Sequence, residues 1–158
     1  MNATYEPWSA ERGAEIIDSL SHLEGGVVEI LHAIQRAFGY VPEPAIPMIA
    51  HARNLSRAEV YGVFTFYHDF RHEPAGTHVL KLCRAEACQA AGGDALAARA
   101  EARLGVKLGH TTPDRRVTLE PIYCLGLCAT APSAMLDGRL VGRLDEKRID
   151  ALVAEAQR

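Results

Sequence analysis

Four cysteines set the problem that this chain must solve in folding. They stand as two pairs, Cys83 with Cys88 and Cys124 with Cys128, and both pairs lie in the second half of the sequence. The first pair encloses Arg84-Ala85-Glu86-Ala87, the second encloses Leu125-Gly126-Leu127, and 35 residues separate Cys88 from Cys124. Such a grouping points to a metal or cluster site held by hooks from separate parts of the fold.

Three chemistries compete for four thiols. Disulfides need an oxidising compartment, yet the start MNATYEPWSAERG has no basic segment followed by an apolar run, so a reduced, cytoplasmic chain is expected. Structural zinc uses tight hooks with two to four residues inside each pair, which admits the three-residue loop; the 35-residue separation is long but workable. A 2Fe-2S cluster takes two thiolates on each iron and is larger than one zinc ion, which suits loops of unequal length. A Rieske centre is disfavoured, because neither pair has a histidine inside or beside it. Thioredoxin-type exchange needs a cysteine pair separated by two residues, and there is none. Spacing places a cluster ahead of zinc and leaves zinc open as the second reading.

Upstream of the thiols the pattern is helical. Ser9 is placed to cap a helix carrying Ile16, Ile17 and Leu20 until Gly25-Gly26 stops it. Val27, Ile30, Leu31, Ile34 and Phe38 form the buried stripe of a second helix that Gly39 ends, with Glu29, Gln35 and Arg36 facing water. Pro44 belongs to the first turn of a third, with Ile46, Ile49 and Ala52 as its apolar side and Asn54 as its close. Ser56-Arg57-Ala58-Glu59 is a capping box that opens a fourth helix running to about Tyr67. Val60, Val63, Phe64 and Tyr67 are its expected stripe, and Gly62 its point of close backbone approach. Phe64, Phe66 and Tyr67 can form a partner-facing aromatic patch or pack on their own domain. Packing is the expectation for Phe64 and Tyr67, and Phe66 stands between the two.

After His72-Glu73-Pro74-Ala75-Gly76, a natural linker, the period changes. Thr77 to Leu82 reads as a strand that delivers Cys83 at its end, and Glu86 to Leu104 as helix around Gly92-Gly93. Val117 to Ile122 reads as a second strand leading into the Cys124 loop, Ala134 to Val141 as a hairpin about Asp137-Gly138, and Asp145 to Ala156 as a last helix. The expectation is an α+β chain: a helical domain over residues 1–75, then an open sheet with helices on its faces over residues 76–158.

Composition excludes more than it selects. No apolar run approaches the ~18 residues that a membrane span needs, so no membrane insertion is expected. A formal net charge of -3, with scattered Lys and Arg, leaves no basic footprint for nucleic acid. There is no His-Glu-x-x-His, no phosphate loop ending in Gly-Lys-Ser/Thr, no Gly-x-Gly-x-x-Gly and no Gly-x-Ser-x-Gly elbow. Nucleotide, flavin and molybdenum chemistry are therefore expected elsewhere. His68, His72, His78 and His110 read as ordinary surface or core imidazoles before they read as proton partners of a cluster.

From Gly39 to Leu144 the chain resembles the small 2Fe-2S subunit that accompanies the flavoprotein of NAD-linked oxidoreductases. The matching residues are Gly39-Tyr40-Val41-Pro42, Val60-Tyr61-Gly62-Val63-Phe64-Thr65-Phe66-Tyr67, Cys83 and Cys88 followed by Gly92, Thr111-Thr112-Pro113-Asp114, and Cys124-Leu125-Gly126-Leu127-Cys128 with Ala131-Pro132. Thr65-Phe66-Tyr67-His68-Asp69-Phe70-Arg71 is most similar to the gamma subunit of molybdenum-containing, NAD-dependent formate dehydrogenases. Relatives from NADH:quinone oxidoreductase carry Glu before the Thr pair and Gly after the Asp, where this chain has His110 and Arg115. The resemblance implies a thioredoxin-like sheet and one 2Fe-2S cluster on Cys83, Cys88, Cys124 and Cys128. It also implies single-electron exchange with an FMN- and NAD-binding flavoprotein subunit, and a molybdenum-containing catalytic subunit in the same complex. The equivalent subunit of NADH:quinone oxidoreductase or of an NAD-linked hydrogenase is the alternative, and a zinc-stabilised adaptor is the alternative of another class.

Four thiolates and two sulfides outweigh two ferric ions, leaving about -2 on an oxidised cluster and about -3 on a reduced one. Backbone amides are the natural counterweight, and Gly126 lets the Cys124 loop turn them inward. Arg84 either adds a positive charge beside the first ligand or is solvated at a loop. Leu125 and Leu127 are expected to restrict water.

Overall fold

The computed structural model describes residues 5–158; the first four residues of the expected helical domain lie outside the described residues. Ala75–Arg158 form one compact unit and the described residues through Pro74 form another.

In the helical unit, local signals set most element ends. The Ser9 hydroxyl accepts the Arg12 amide at 3.1 Å and starts α1, Ala10–Ser19. This helix stops well before Gly25-Gly26. The Leu20, Ser21 and Leu23 amides donate to carbonyls three residues back, so tight turns use up the free acceptors, and Leu20 is only partly buried. α2, Val27–Phe38, buries the expected stripe and ends at Gly39, whose φ of 80° is left-handed. Gln35, expected in water, instead clamps a returning segment: Nε2 donates to the Asp69 carbonyl at 2.8 Å and Oε1 accepts the Arg71 amide at 2.6 Å.

α3, Ala45–Arg53, has Pro44 at its cap rather than in its first turn. Its buried side is Ala45, Ile46, Ile49 and Ala50; Ala52 is exposed because it lies off that stripe. Asn54 closes it in a left-handed conformation. In α4, Arg57–Phe66, the capping box forms reciprocally, with the Ser56 amide donating to Glu59 Oε2 at 2.8 Å and the Glu59 amide to Ser56 Oγ at 3.2 Å. Val60 and Phe64 are buried, but Tyr67 is exposed. The chain turns after Phe66, the Phe70 amide reaches the Tyr67 carbonyl, and Phe70 takes the buried place. Gly62 faces open space, so no backbone approaches it.

The second unit is built on a five-stranded sheet of order β2-β3-β1-β4-β5. The strands are β1 His78–Cys83, β2 His110–Thr111, β3 Val117–Ile122, β4 Ala134–Leu136 and β5 Arg139–Val141. β2 is too short to leave a period in the sequence. β1 and β3 are parallel in the centre, and the other neighbours are antiparallel. Leu80 stands opposite Leu119 on one side and Leu136 on the other, so all three share a face. That face carries the core with Leu96, Ala97 and Ala100 of α6, Gly93–Leu104, and Ile149, Leu152 and Val153 of α7, Glu146–Ala156. α6 and α7 share that one core, and the opposite face of the two central strands carries the half-buried ion pair of Lys81 Nζ and Glu120 Oε2, 3.1 Å apart. A bidentate contact, Arg99 Nε and Nη2 to Asp150 at 2.9 Å each, ties α6 to α7. Asp137 and Gly138 both have positive φ and make the two-residue turn of the β4-β5 hairpin.

Candidate metal centre

The register of the two central strands positions the thiols. Cys83 is the last residue of β1 and pairs with Ile122, the last residue of β3; two residues later comes Cys124. Both hooks thus leave from the carboxyl ends of adjacent parallel strands, where open sheets place their ligands. From Cys83 the chain turns into α5, Glu86–Ala90, which carries Cys88. From Cys124 it makes an irregular loop that closes in a 3-10 turn, Cys128–Thr130.

The hooks differ in burial. Cys83 and Cys88 are 4% and 1% exposed, whereas Cys124 and Cys128 are exposed. Cys124 has φ 87° and Gly126 φ 75°, both left-handed, and this bends the loop so that the Gly126 amide meets Cys124 Sγ at 3.3 Å. Cys124 Sγ and Cys128 Sγ are 3.7 Å apart. Two thiolates on one tetrahedral metal at ~2.3 Å stand about 3.75 Å apart.

Amide donors bind the hooks together electrostatically. Burial pushes the Cys83 thiol up, but the amides of Ala85, Cys124 and Leu125, with the Cys88 thiol, outweigh it and hold Cys83 below the ordinary thiol range. The donors come from both hooks. Cys128 is shifted the other way, first by its contact with Cys124 and then by the charges of Cys124, Cys88 and Cys83. The structure therefore gathers all four cysteines at one sheet end. They stand as two pairs; among the described residues no three His, Cys, Asp or Glu side chains close on a single point. Two pairs of soft thiolates suit two irons bridged by sulfide.

The other expected site residues divide. Gly126 does what its sequence position suggested. Leu125 and Leu127 are half-buried, and they leave Cys124 and Cys128 open to solvent. Arg84 is a quarter exposed and pairs with Asp94, its Nη2 3.1 Å from Asp94 Oδ1, rather than with a thiol. Three of the four expected histidines are occupied elsewhere, His78 with Asp137 at 2.7 Å, His72 against Phe64, and His110 with the Leu108 carbonyl, and His68 is exposed. Sequence reasoning missed Ser133, whose hydroxyl is 3.5 Å from Cys88 Sγ, and the amides of Ala85 and Leu125. A small residue after Ala131-Pro132 gave no signal of that contact.

Residues 13–157 match the family model of the thioredoxin-like [2Fe-2S] ferredoxins. The chain belongs to that family. This thioredoxin-like ferredoxin is 37% identical over 110 residues to one subunit of the NADH-quinone oxidoreductase of Pseudomonas aeruginosa, covering 70% of this chain and 66% of that one, just under two thirds. It is 32% identical over 141 residues to the HndA subunit of the NADP-reducing hydrogenase of Solidesulfovibrio fructosivorans, covering 89% of this chain and 82% of that one. Among solved structures, an air-oxidised NAD+-reducing [NiFe]-hydrogenase superposes with a TM-score of 0.70 at 29% identity. That match covers 84% of this chain and 23% of the hydrogenase chain, so the ferredoxin spans about a quarter of its length. The α+β architecture and the 2Fe-2S cofactor are those of the family. Among the described residues no helix is long and apolar enough to cross a membrane.

Proposed function

We propose that Cys83, Cys88, Cys124 and Cys128 hold one 2Fe-2S cluster. Through it the chain exchanges single electrons with an FMN- and NAD-binding flavoprotein subunit of a cytoplasmic, multi-subunit NAD-linked oxidoreductase. The observation that carries this reading is the β1-β3 register, which brings Cys83 and the Cys124 loop to one end of the sheet, with Cys124 Sγ 3.7 Å from Cys128 Sγ. When bound, the cluster supplies one-electron exchange, and the flavoprotein handles the two-electron hydride of NAD. The amides of Ala85, Cys124 and Leu125 hold negative charge at Cys83 Sγ, and that of Gly126 does so at Cys124 Sγ. Arg84 spends its charge on Asp94. Four thiolates, with no imidazole, place the couple at low potential. A redox titration followed by paramagnetic resonance that returned a positive, Rieske-like midpoint would contradict this ligand set.

Residues 1–75 are a docking domain in this reading and residues 76–158 the cluster domain. Support for docking comes from Tyr61, 52% exposed at a shallow cleft lined also by Pro44, Pro47 and Ala58, and from Phe66, 73% exposed elsewhere on α4. The finer assignment is the gamma subunit of a formate dehydrogenase with a molybdenum-containing catalytic subunit. It is supported by the segment from Thr65 to Arg71, while the relatives named above favour an NADH:quinone oxidoreductase or hydrogenase setting.

Iron, zinc and acid-labile sulfide in the anaerobically purified chain test the core claim. About two irons and two sulfides, with a signal after dithionite reduction, are expected; zinc without sulfide would make the chain a structural adaptor. For the finer claim, the native complex should contain molybdenum and reduce NAD with formate. Quinone reductase or hydrogen-dependent activity instead would remove it.

A further inference from the structure

Ser133 stands immediately before β4 and is 3% exposed. Its carbonyl accepts the Cys83 amide at 3.0 Å, and its hydroxyl lies 3.5 Å from Cys88 Sγ in a buried contact. A hydroxyl removed from water is costly unless bonded, and this one ends at a sulfur. Between two neutral groups either atom can donate. A metal-bound thiolate has no proton, so the sulfur can only accept and the hydroxyl hydrogen must point at it.

We propose that Ser133 is a positioning residue for the cluster, donating a hydrogen bond to the Cys88 thiolate and raising the reduction potential. The inference rests on the ligand set proposed above. The amide donors described there serve Cys83 and Cys124. Ser133 serves the other buried sulfur. On reduction one electron enters from a one-electron reductant, dithionite in the test. No bond breaks, no proton transfers, and Ser133 keeps its hydrogen. The added negative charge spreads onto the sulfurs, so a donor held there binds the reduced state more strongly than the oxidised one.

The test is the midpoint of the cluster-loaded chain with Ser133→Ala, beside iron and sulfide content and the resonance line shape. The expected result is a full cluster whose one-electron equilibrium moves about tenfold toward the oxidised state, about 59 mV more negative. Ser133→Thr, which keeps the hydroxyl, should restore most of the shift. If Ser133→Ala fails to retain its cluster, Ser133→Thr and Ser133→Val carry the same test, since they match in shape and differ in the hydroxyl. A full cluster at the wild-type midpoint in Ser133→Ala, or equal midpoints for the Thr and Val variants, overturns the inference alone. A wild-type chain with zinc and no sulfide overturns the ligand set, and the inference falls with it.

Discussion

The two cysteine hooks sit at the same end of one sheet and are held by different means. The first is packed: Cys83 closes a central strand, Cys88 lies in a short helix, and Gly93 is so near that a Cβ there would sit 2.5 Å from the Cys88 carbonyl oxygen. The second is shaped: Cys124 and Gly126 hold left-handed backbone in an exposed loop, and a Cβ on Gly126 would meet nothing within 4 Å. A metal centre can thus be fixed on one side by steric contact and on the other by dihedral angles. The protein interior needs rigidity at one hook, and the solvent side needs only a bent chain.

The largest expected effect separates the hooks by what remains when the cluster is lost. Replacing any of the four cysteines by Ser should abolish the two-iron, two-sulfide content. In the apo chain, Cys88→Ser should cost about 1–3 kcal/mol, because it changes a fully buried group, whereas Cys128→Ser should stay within about 0.5 kcal/mol. Urea unfolding of both apo variants checks this, and equal losses would break the comparison. Next come the glycines. Gly93→Ala should cost about 1–3 kcal/mol by overpacking against the Cys88 backbone, and Gly126→Ala about 1–2 kcal/mol from left-handed strain alone. The sharper readout is spectroscopic: the first should disturb the cluster signal through displaced packing, and the second should leave Cys88 and its surroundings unmoved.

The smallest effect is a control away from both hooks. The hydrogen bonds from Arg99 hold the Asp150 carboxyl below its usual range. A depressed carboxyl adds stability above its unfolded value, about 3.9, and loses that stability as pH falls through the lower folded value. Asp150→Asn should therefore be less stable than wild type at neutral pH, with the gap closing below about pH 4. Acid unfolding curves of the two chains test the sign, and the cluster spectrum should be the same in both at neutral pH.

Legibility followed the range of the interactions. The capping box of Ser56 and Glu59, the Gly39 stop and the stripe of α2 are set within a few residues and could be read directly. Tyr67 and Gln35 could not, because a turn after Phe66 brings Phe70 into the core and returns residues 69–71 onto α2. The thiol pairs were visible as spacing. Their unequal burial, the amides that serve Cys83 and the hydroxyl beside Cys88 were not, since each depends on residues brought together across the sheet. Arg84 follows the same rule: its neighbour in sequence is Cys83, but its partner in space is Asp94, ten residues on.

The pairing of Cys83 with Ile122 in the β1-β3 register has a consequence for the order of assembly. That rung joins segments about forty residues apart, and such long closures form late relative to local helices. Until the rung closes, the chain offers two separate dithiols that can each capture a metal by itself. Once it has closed, Cys124 and Cys128 stand open at the surface while Cys83 and Cys88 are already enclosed. A slip of one residue in strand register would move the two hooks to opposite faces of the sheet.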